Sequence, residues 1–442
     1  MFRRVLIANR GEVAVRVLKT CKRLGITAVA AYTDDERDLS WLEDADETVC
    51  IGPVRSYLDQ DALLQAARQT GCSALHPGWG FLSENATFAA RCEAIGVRFI
   101  GPPAHLIRSM GDKIEARRSM KALGLDPIPG TDEPISGVEV ARSLAKSIGY
   151  PVLLKAASGG GGRGMRRVYA EAELAEAFAE ASSEALASFG DGRLYMEKLI
   201  EAGRHIEFQV LGDCTGRVLV LGERECSIQR RHQKLLEESP SPVLSPQQRE
   251  EVSQKIAAAL SAAGYMSAGT VEMLRDPSGE LYFMELNTRL QVEHRVTEMT
   301  TGIDLVEWQL RVAATQRLPE TWRAARGHAI ELRINAEDPD RNFLPTPGRL
   351  ERFSFPVGEG IRVETHLRAG DSVSPHYDSM IAKLVVHGDS REDAIKALET
   401  AIAGCEIVGV HTTLGLHSEI LAHSGFRAGD YDTQTLAKMQ EA

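Results

Sequence analysis

The 442-residue chain is poor in features that would take it out of the ordinary globular class. Its seven cysteines, at 21, 50, 72, 92, 214, 226 and 405, include no C-x-x-C pair. That pattern excludes a disulfide framework or zinc site and fits a reducing cytosol, so a cytoplasmic location is expected. No apolar run is long enough to span a membrane. The opening MFRRVLIANRGE has too short an apolar stretch for a signal peptide and no small-residue cleavage site. Basic residues are not in excess, with 51 Lys and Arg against 62 Asp and Glu and a net charge of -11. No basic footprint for nucleic acid is therefore expected, and membrane partners are not expected either. Two nucleotide signatures are also missing: the first strand-like run ends in NRGE instead of G-x-G-x-x-G, and the glycine run at 159–162 does not fit the P-loop pattern.

What is present is the patterning of a large α/β protein, with 43% apolar and 26% charged residues. A chain of this length exceeds one core, so two to four domains are expected. Residues 4–100 alternate apolar runs (VLIAN, ITAVAAYT, SALHPG, VRFIGP) with an amphipathic helical stretch, EVAVRVLKTCKRLG. This predicts a parallel sheet with right-handed crossovers. Five segments are expected: a Rossmann-like unit over 1–103, a helical linker over 104–129 in which 104–123 reads as one long polar helix before the turn-rich LDPIPGTDEP, and a small α/β unit over 130–200. An antiparallel sheet with helices follows over 201–326, then a mixed C-terminal lobe over 327–442. No fixed-period repeat or low-complexity tail is found.

Three constellations carry chemistry. In TVEMLRDPSGELYFMELNTRLQVEH, 270–294, DPSG marks a hairpin. If Arg275 and Glu280 close it, Glu272 lies across from Phe283 and diagonal to Glu285, at roughly 7–8 Å between backbones. Two carboxylates with Asn287 beyond form a hard-oxygen cage for one or two Mg²⁺; ordinary charges on a solvated strand are the alternative. On an extended continuation Arg289, Gln291 and Glu293 point the same way as Asn287. A guanidinium suits a small oxyanion, and Glu293 can serve as general base. The second cluster, ERECSIQRRHQK at 223–234, reads as a solvated helix face or, through Gln229, His232 and Lys234, as a ribose or phosphate site. The third is KAASGGGGRGM, 155–165. Lys155 and Lys113, from separate units, suggest a polyphosphate over which main-chain N–H groups can close. A Gly₄ alone is more often a linker. Flanked here by strands, Ala157 to Gly164 is expected to act as a mobile lid.

Together these residues resemble biotin carboxylase, of the ATP-grasp superfamily. The motifs are IANRGE (7–12), HPGWGFLSEN (76–85), MGDK (110–113), the glycine run, RHIEFQVLGD (204–213), ERECSIQRRHQK, ELNTRLQVEH, ELRINAED (331–338) and YDSMIAKL (377–384). The resemblance implies an ATP-grasp architecture, α/β with α+β later domains, a glycine-rich lid and a mixed C-terminal lobe. It implies ATP-dependent carboxylation of biotin with bicarbonate, through carboxyphosphate. By the same resemblance Lys113, Lys155, Gly161 and Gly162 contact phosphates. Glu197, Lys198, Leu199 and Ile200 line the adenine slot above Leu274, and His205, Gln229 and His232 serve the ribose and phosphate region. Glu272, Glu285 and Asn287 hold magnesium or manganese, two ions in all. Lys234, Arg289, Gln291 and Val292 bind bicarbonate, and Glu293 is the base. Arg333 faces the biotin ureido oxygen, with Trp79 in the biotin pocket.

Two positions depart from the family pattern. Arg295 stands where proline is usual, which either loosens the segment carrying Glu293 or tunes the anion site. Trp79 replaces a more usual tyrosine, losing a hydroxyl but keeping a stacking surface. No M-K-M biotinyl acceptor and no carboxyltransferase-like module is found. Biotin is therefore expected as a substrate on a separate carrier protein, with carboxyltransferase subunits as further partners and a homodimer as the assembly. An acetyl-CoA carboxylase of fatty acid biosynthesis is one expected setting; another acyl-CoA or a 2-oxo acid is an equal acceptor on sequence grounds. The alternatives are another ATP-grasp ligase joining a carboxylate to an amine, and a nucleotide-binding regulatory subunit that has lost catalysis. Arg289, Glu293 and Arg333 argue against the first, and the intact Glu272, Glu285 and Glu293 against the second.

Overall fold

Strands Arg4–Ile7, Thr27–Tyr32, Glu47–Cys50, Ala74–His76 and Arg98–Phe99 form an all-parallel sheet in the spatial order third, second, first, fourth, fifth. The computed structural model describes residues 1–158 and 164–441. Alternation divides the first strand between two cores: Val5 and Ile7 pack with Val13, Val17 and Leu18 of helix Gly11–Arg23, and Leu6 packs with Leu63 and Phe88 on the other face. Strand order reverses at Arg4–Ile7, and in such sheets the crevice beyond the strand's carboxyl end is where ligands bind. Asn9 to Glu12 leave from that end.

Residues 104–123 are two helices, not the single one expected: Ala104–Gly111 and Lys113–Ala122. Asp112 breaks them. Its backbone is extended, and its carboxylate accepts the N–H groups of Ile114 (3.0 Å) and Glu115 (3.1 Å), a side-chain N-cap. The break places Lys113 in a first turn, where its N–H donates to the Ala157 carbonyl at 3.0 Å. Next come strands Val152–Ala156, Arg166–Val168 and Leu194–Lys198, an antiparallel sheet backed by helices Val138–Ile148 and Leu174–Phe189. Gly161 and Gly162, with most of the expected lid, lie outside the described residues.

An eight-stranded antiparallel sheet organises the rest. Its order is Leu281–Asn287, Ser267–Arg275, Arg204–Gly212, Val218–Arg230, Gln233–Ser239, His328–Asn335, Met380–Gly388, Ile361–Glu364. Gln233–Ser239 bonds directly to His328–Asn335, so the sheet continues past residue 326 into the C-terminal lobe. ERECSIQRRHQK is thus strand, two-residue turn and strand; the helix-face reading is incorrect. Arg231 and His232 take φ of 48° and 68°, as a twist-matched hairpin turn requires. The other hairpin closes through Asp276 and Glu280, whose N–H···O distance is 2.9 Å. A bulge between Glu272 and Met273 then resets the register. Phe283 opposes Met273, and Glu272 opposes Glu285 directly, so the expected diagonal relation is corrected to a cross-strand pair. Among the described residues no helix is long and apolar enough to cross a membrane.

Candidate active site

One face of the eight-stranded sheet carries the charged residues in rows. Pairing aligns Glu285, Glu272, Glu207 and Arg224 across four strands, and Glu237 with Glu331 across the next two. Opposed residues share a face, so these side chains converge. Asn287 donates to Glu272 Oε1 at 2.9 Å, and His205 lies 3.0 Å from Glu272 Oε2, off the line of a hydrogen bond. Lys113 pairs with Glu285. Its proximity lowers the Glu285 carboxyl against burial and against Glu272. Two facing carboxylates and an amide oxygen fit a hard divalent cation. Ligand-type side chains also cluster at His205–Glu207–Glu272 and at Glu207–Cys226–Glu293. The acids there already serve Lys234 and Arg224, at 2.5–3.1 Å, so these are ion-pair networks.

Lys155, from the small antiparallel sheet, bonds the buried Glu197 carboxylate at 3.0 Å, and Arg117 takes the other oxygen. The Glu197 side chain therefore holds Lys155 and does not offer a free carboxylate to a nucleotide base. Lys113 is close enough to Lys155 to be repelled by it, so the two lysines do converge. Lys198 is tied through Nζ to the Gly149 and Tyr150 carbonyls. Ile200 and Leu274 meet over Gly203, where an added Cβ would come within 3.2 Å of both side chains. Gln229 faces Lys234 across the 218–239 hairpin, and His232 is exposed at its turn. Although its ring reaches solvent, crowding by the surrounding protein removes part of its hydration, and with the neighbouring Arg167 and Lys155 this lowers the His232 pKa.

The second half of the site centres on Glu293, which has no solvent exposure. Its oxygens accept from Lys234 at 2.6 Å and Arg333 at 2.9 Å. Burial alone would raise this carboxyl; Lys234, Arg333 and Arg224 together hold it well below the usual carboxylate range. Lys234 also bonds Glu207 (2.6 Å) and Glu272 (3.1 Å). Burial would depress its ammonium, and these three acids keep it firmly charged. Arg289 donates to Gln291 (2.9 Å) and Asn287 (3.1 Å), and Gln291 reaches Glu272 at 3.3 Å. The chain is not extended through Glu293 as expected: it turns into helix His294–Thr301, with Glu293 at φ -80°, ψ 13°.

Sequence reasoning missed several supports. Glu84 receives Arg289 Nε and the Thr288 N–H, both at 2.9 Å. Arg224, fully buried, bonds Glu207, Gln209, Thr270 and Thr297. Glu84, Arg224 and Glu207 all sit inside the quoted motifs, which was the available signal. Arg295 points away from the anion site, bonding Glu298 at 2.6 Å and pairing with Glu364, so the tuning alternative has no geometric support. The Trp79 indole donates to Glu12 at 3.2 Å beside a hollow also lined by Asn9, Arg10, His366, Asp378 and Met380.

The family model for the biotin carboxylase N-terminal domain matches residues 1–107, and that for the biotin carboxylase C-terminal domain matches 331–438. Between them, 112–321 match the ATP binding domain of the carbamoyl-phosphate synthase L chain. The biotin carboxylase of Allochromatium vinosum is 48% identical, with 99% of each chain covered. The 2-oxoglutarate carboxylase small subunit of Hydrogenobacter thermophilus is also 48% identical, over 99% of this chain and 93% of that one. For a pyruvate carboxylase subunit of Methanothermobacter thermautotrophicus the values are 46%, 98% and 89%. Among solved structures, the biotin carboxylase domain dimer of the Hydrogenobacter thermophilus 2-oxoglutarate carboxylase, in complex with MgADP, ADP and bicarbonate, superposes with a TM-score of 0.97. It is 47% identical, with 100% of this chain and 98% of that one covered. The biotin carboxylase of Campylobacter jejuni gives 0.97 and 45%, with 99% of each chain covered. The fold is that of the ATP-grasp carboxylases, and the chain belongs to the biotin carboxylase family.

Proposed function

We propose that this chain uses ATP and bicarbonate to carboxylate biotin borne by a separate carrier protein. The observation that carries the reading is the Glu293 carboxylate, buried between Lys234 and Arg333 and one hairpin away from the facing acids Glu272 and Glu285. A base held ionised by cations can accept the proton of bicarbonate. A bicarbonate that draws Lys234 and Arg289 to itself leaves Glu293 with fewer cations, and its basicity rises as the substrate arrives. Gln291 and the Val292 amide complete that anion site. Lys113 and Lys155 would leave Glu285 and Glu197 to meet the phosphates of ATP, and the adenine would lie along 197–200 over Leu274. His205, Gln229 and His232 then serve the ribose and phosphate region, joined by Gly161 and Gly162.

The deprotonated bicarbonate attacks the γ-phosphorus and ADP departs, a step governed by positioning and charge neutralisation. Magnesium or manganese, two ions held by Glu272, Glu285 and Asn287, supplies charge neutralisation at the phosphates when bound. Carboxyphosphate then breaks to CO₂ and phosphate, which must happen out of water. Phosphate takes the biotin N1′ proton, Arg333 stabilises the ureido oxyanion, and the biotin nitrogen captures CO₂. Trp79 forms one wall of that pocket.

The carrier, the carboxyltransferase and hence the acceptor come from other chains. Relatives named for pyruvate and 2-oxoglutarate carboxylases, beside those named biotin carboxylase, support an acceptor set by the partner, whether acetyl-CoA or a 2-oxo acid. A homodimer in the cytoplasm is the expected assembly, checked by light scattering of the purified chain. The deciding assay is ATP cleavage by the purified protein. It should require bicarbonate and Mg²⁺, rise with free biotin and ignore acyl-CoA. Cleavage that is indifferent to bicarbonate would refute the reading, and carboxylation of acetyl-CoA by this chain alone would refute the division of labour.

A further inference from the structure

Lys383, on strand Met380–Gly388, has no solvent exposure and is used by none of the steps above. A buried ammonium is costly unless paired and hydrogen-bonded, so its partners reveal what it holds. Its Nζ donates to the carbonyl oxygen of Val292, the residue before Glu293, at 2.5 Å. Glu12 Oε1 stands farther off at 3.3 Å and Glu331 Oε1 at 3.8 Å. Burial raises the Glu331 carboxyl well above its usual range despite Lys383, and Glu12 is the nearer of the two acids. The short bond has thus gone to an uncharged peptide carbonyl and not to an acid, which charge balance alone would not require.

That peptide has little else to hold it. Glu293 opens helix His294–Thr301 without a side-chain cap. The turn's own backbone bonds are long, 3.3 Å from the His294 N–H to the Gln291 carbonyl and 3.4 Å from the Val296 N–H to Glu293, against about 2.9 Å in a good ladder; the one short contact, between His294 Nδ1 and the Gln291 carbonyl at 2.8 Å, does not reach the Val292 carbonyl. The Val292–Glu293 peptide sets where the Glu293 side chain begins. Glu12 Oε1, beside the ammonium, also accepts the Trp79 indole N–H at 3.2 Å. One buried cation therefore joins the start of the base-bearing helix, the strand of Arg333 (Lys383's direct cross-strand neighbour) and the loop of Trp79.

We propose that Lys383 is a positioning residue for Glu293: it fixes the Val292–Glu293 peptide and links it, through Glu12, to the wall carrying Trp79. The proposal rests on reading Glu293 as the base. Lys383→Met alone strands the Glu12 carboxylate, so Lys383→Met/Glu12→Gln removes both charges together. Lys383→Arg keeps the charge and moves the donors. In each folded variant, titration should show Mg-ATP binding within about twofold of wild type, while kcat for bicarbonate-dependent ATP cleavage falls on the order of 10²-fold, the scale of a 1 Å misplacement. KM for bicarbonate should rise while KM for ATP stays. A purely structural role would lower the active fraction and move neither KM. Wild-type kcat and KM in either variant overturn the proposal. Bicarbonate-independent cleavage by the wild-type protein defeats the underlying functional reading instead, whatever the variants do.

Discussion

Glu237 and Glu238 are successive residues of one strand, both fully buried, and they live in opposite electrostatic worlds. Successive side chains on a strand point to opposite faces. Glu238 faces the structural side, where His328 (2.5 Å), Arg391 (2.7 and 2.9 Å) and Tyr431 surround it. Burial would raise its carboxyl; His328 and Arg391 outweigh that and bring it down to about 2. Glu237 faces the candidate active site, with Arg333 at 2.6 Å on one oxygen and no partner on the other. Burial, opposed by Arg333 but reinforced by Glu293, brings it up to about 7. Glu238 is saturated with partners, both of its oxygens being bonded. On the site face Glu237 keeps one oxygen without a partner and sits beside a second acid, Glu293, so its proton is shared out differently from that of its neighbour.

Five changes test this contrast, the largest first. Glu293→Gln should cut bicarbonate-dependent turnover by about 10²–10⁴-fold, the usual worth of a general base. ATP affinity, read by titration, should stay constant. Arg333→Ala is a poorer probe of the biotin step alone, because Arg333 also touches Glu293 and its loss disturbs the base.

On the structural face, Glu238→Gln should cost roughly 3–5 kcal/mol in urea unfolding, because it leaves buried cations without their acid. Its folded value lies below the unfolded one, so the wild-type contribution is present above about pH 4.5 and fades as pH falls toward 2. An unfolding midpoint equal to wild type at neutral pH would remove the contrast between the faces.

Glu285→Gln should weaken Mg²⁺ dependence by roughly tenfold or more, on the scale of lost metal-site support. The half-saturating metal concentration is the readout, and no shift would separate Glu285 from the cation. Glu237→Gln should act through pH. A raised folded value favours the native state at low pH, and that stability is lost as pH rises from about 4.5 through 7. The variant should flatten that decline in unfolding midpoints, and an undiminished slope would show that Glu237 is ionised throughout. The smallest kinetic effect is expected from Arg295→Pro. Its bonds to Glu298 and Glu364 should be lost, lowering the melting temperature, while KM for bicarbonate stays within about twofold because the guanidinium faces away from the anion site.

Much of this was legible along the chain. The parallel N-terminal sheet followed from apolar runs stopped by Gly and Pro. The convergence of Glu272, Glu285 and Asn287 followed from strand alternation, and the family from nine motifs in order. Local rules were enough there because neighbours in sequence are neighbours in space. They failed where a distant partner or one extra residue decides. Asp112 splits a helix that composition reads as continuous, and the bulge beside Met273 turns a diagonal pair into a facing one. Glu84 meets Arg289 from about two hundred residues away, and Lys383 reaches Val292 across ninety-one. The sequence by itself determined the family, through its motifs, and, through periodicity, the facing of Glu272, Glu285 and Asn287. Only the tertiary structure decided their charge states and aim, because desolvation and Coulomb energies depend on which buried groups lie within a few ångströms, whatever their separation along the chain.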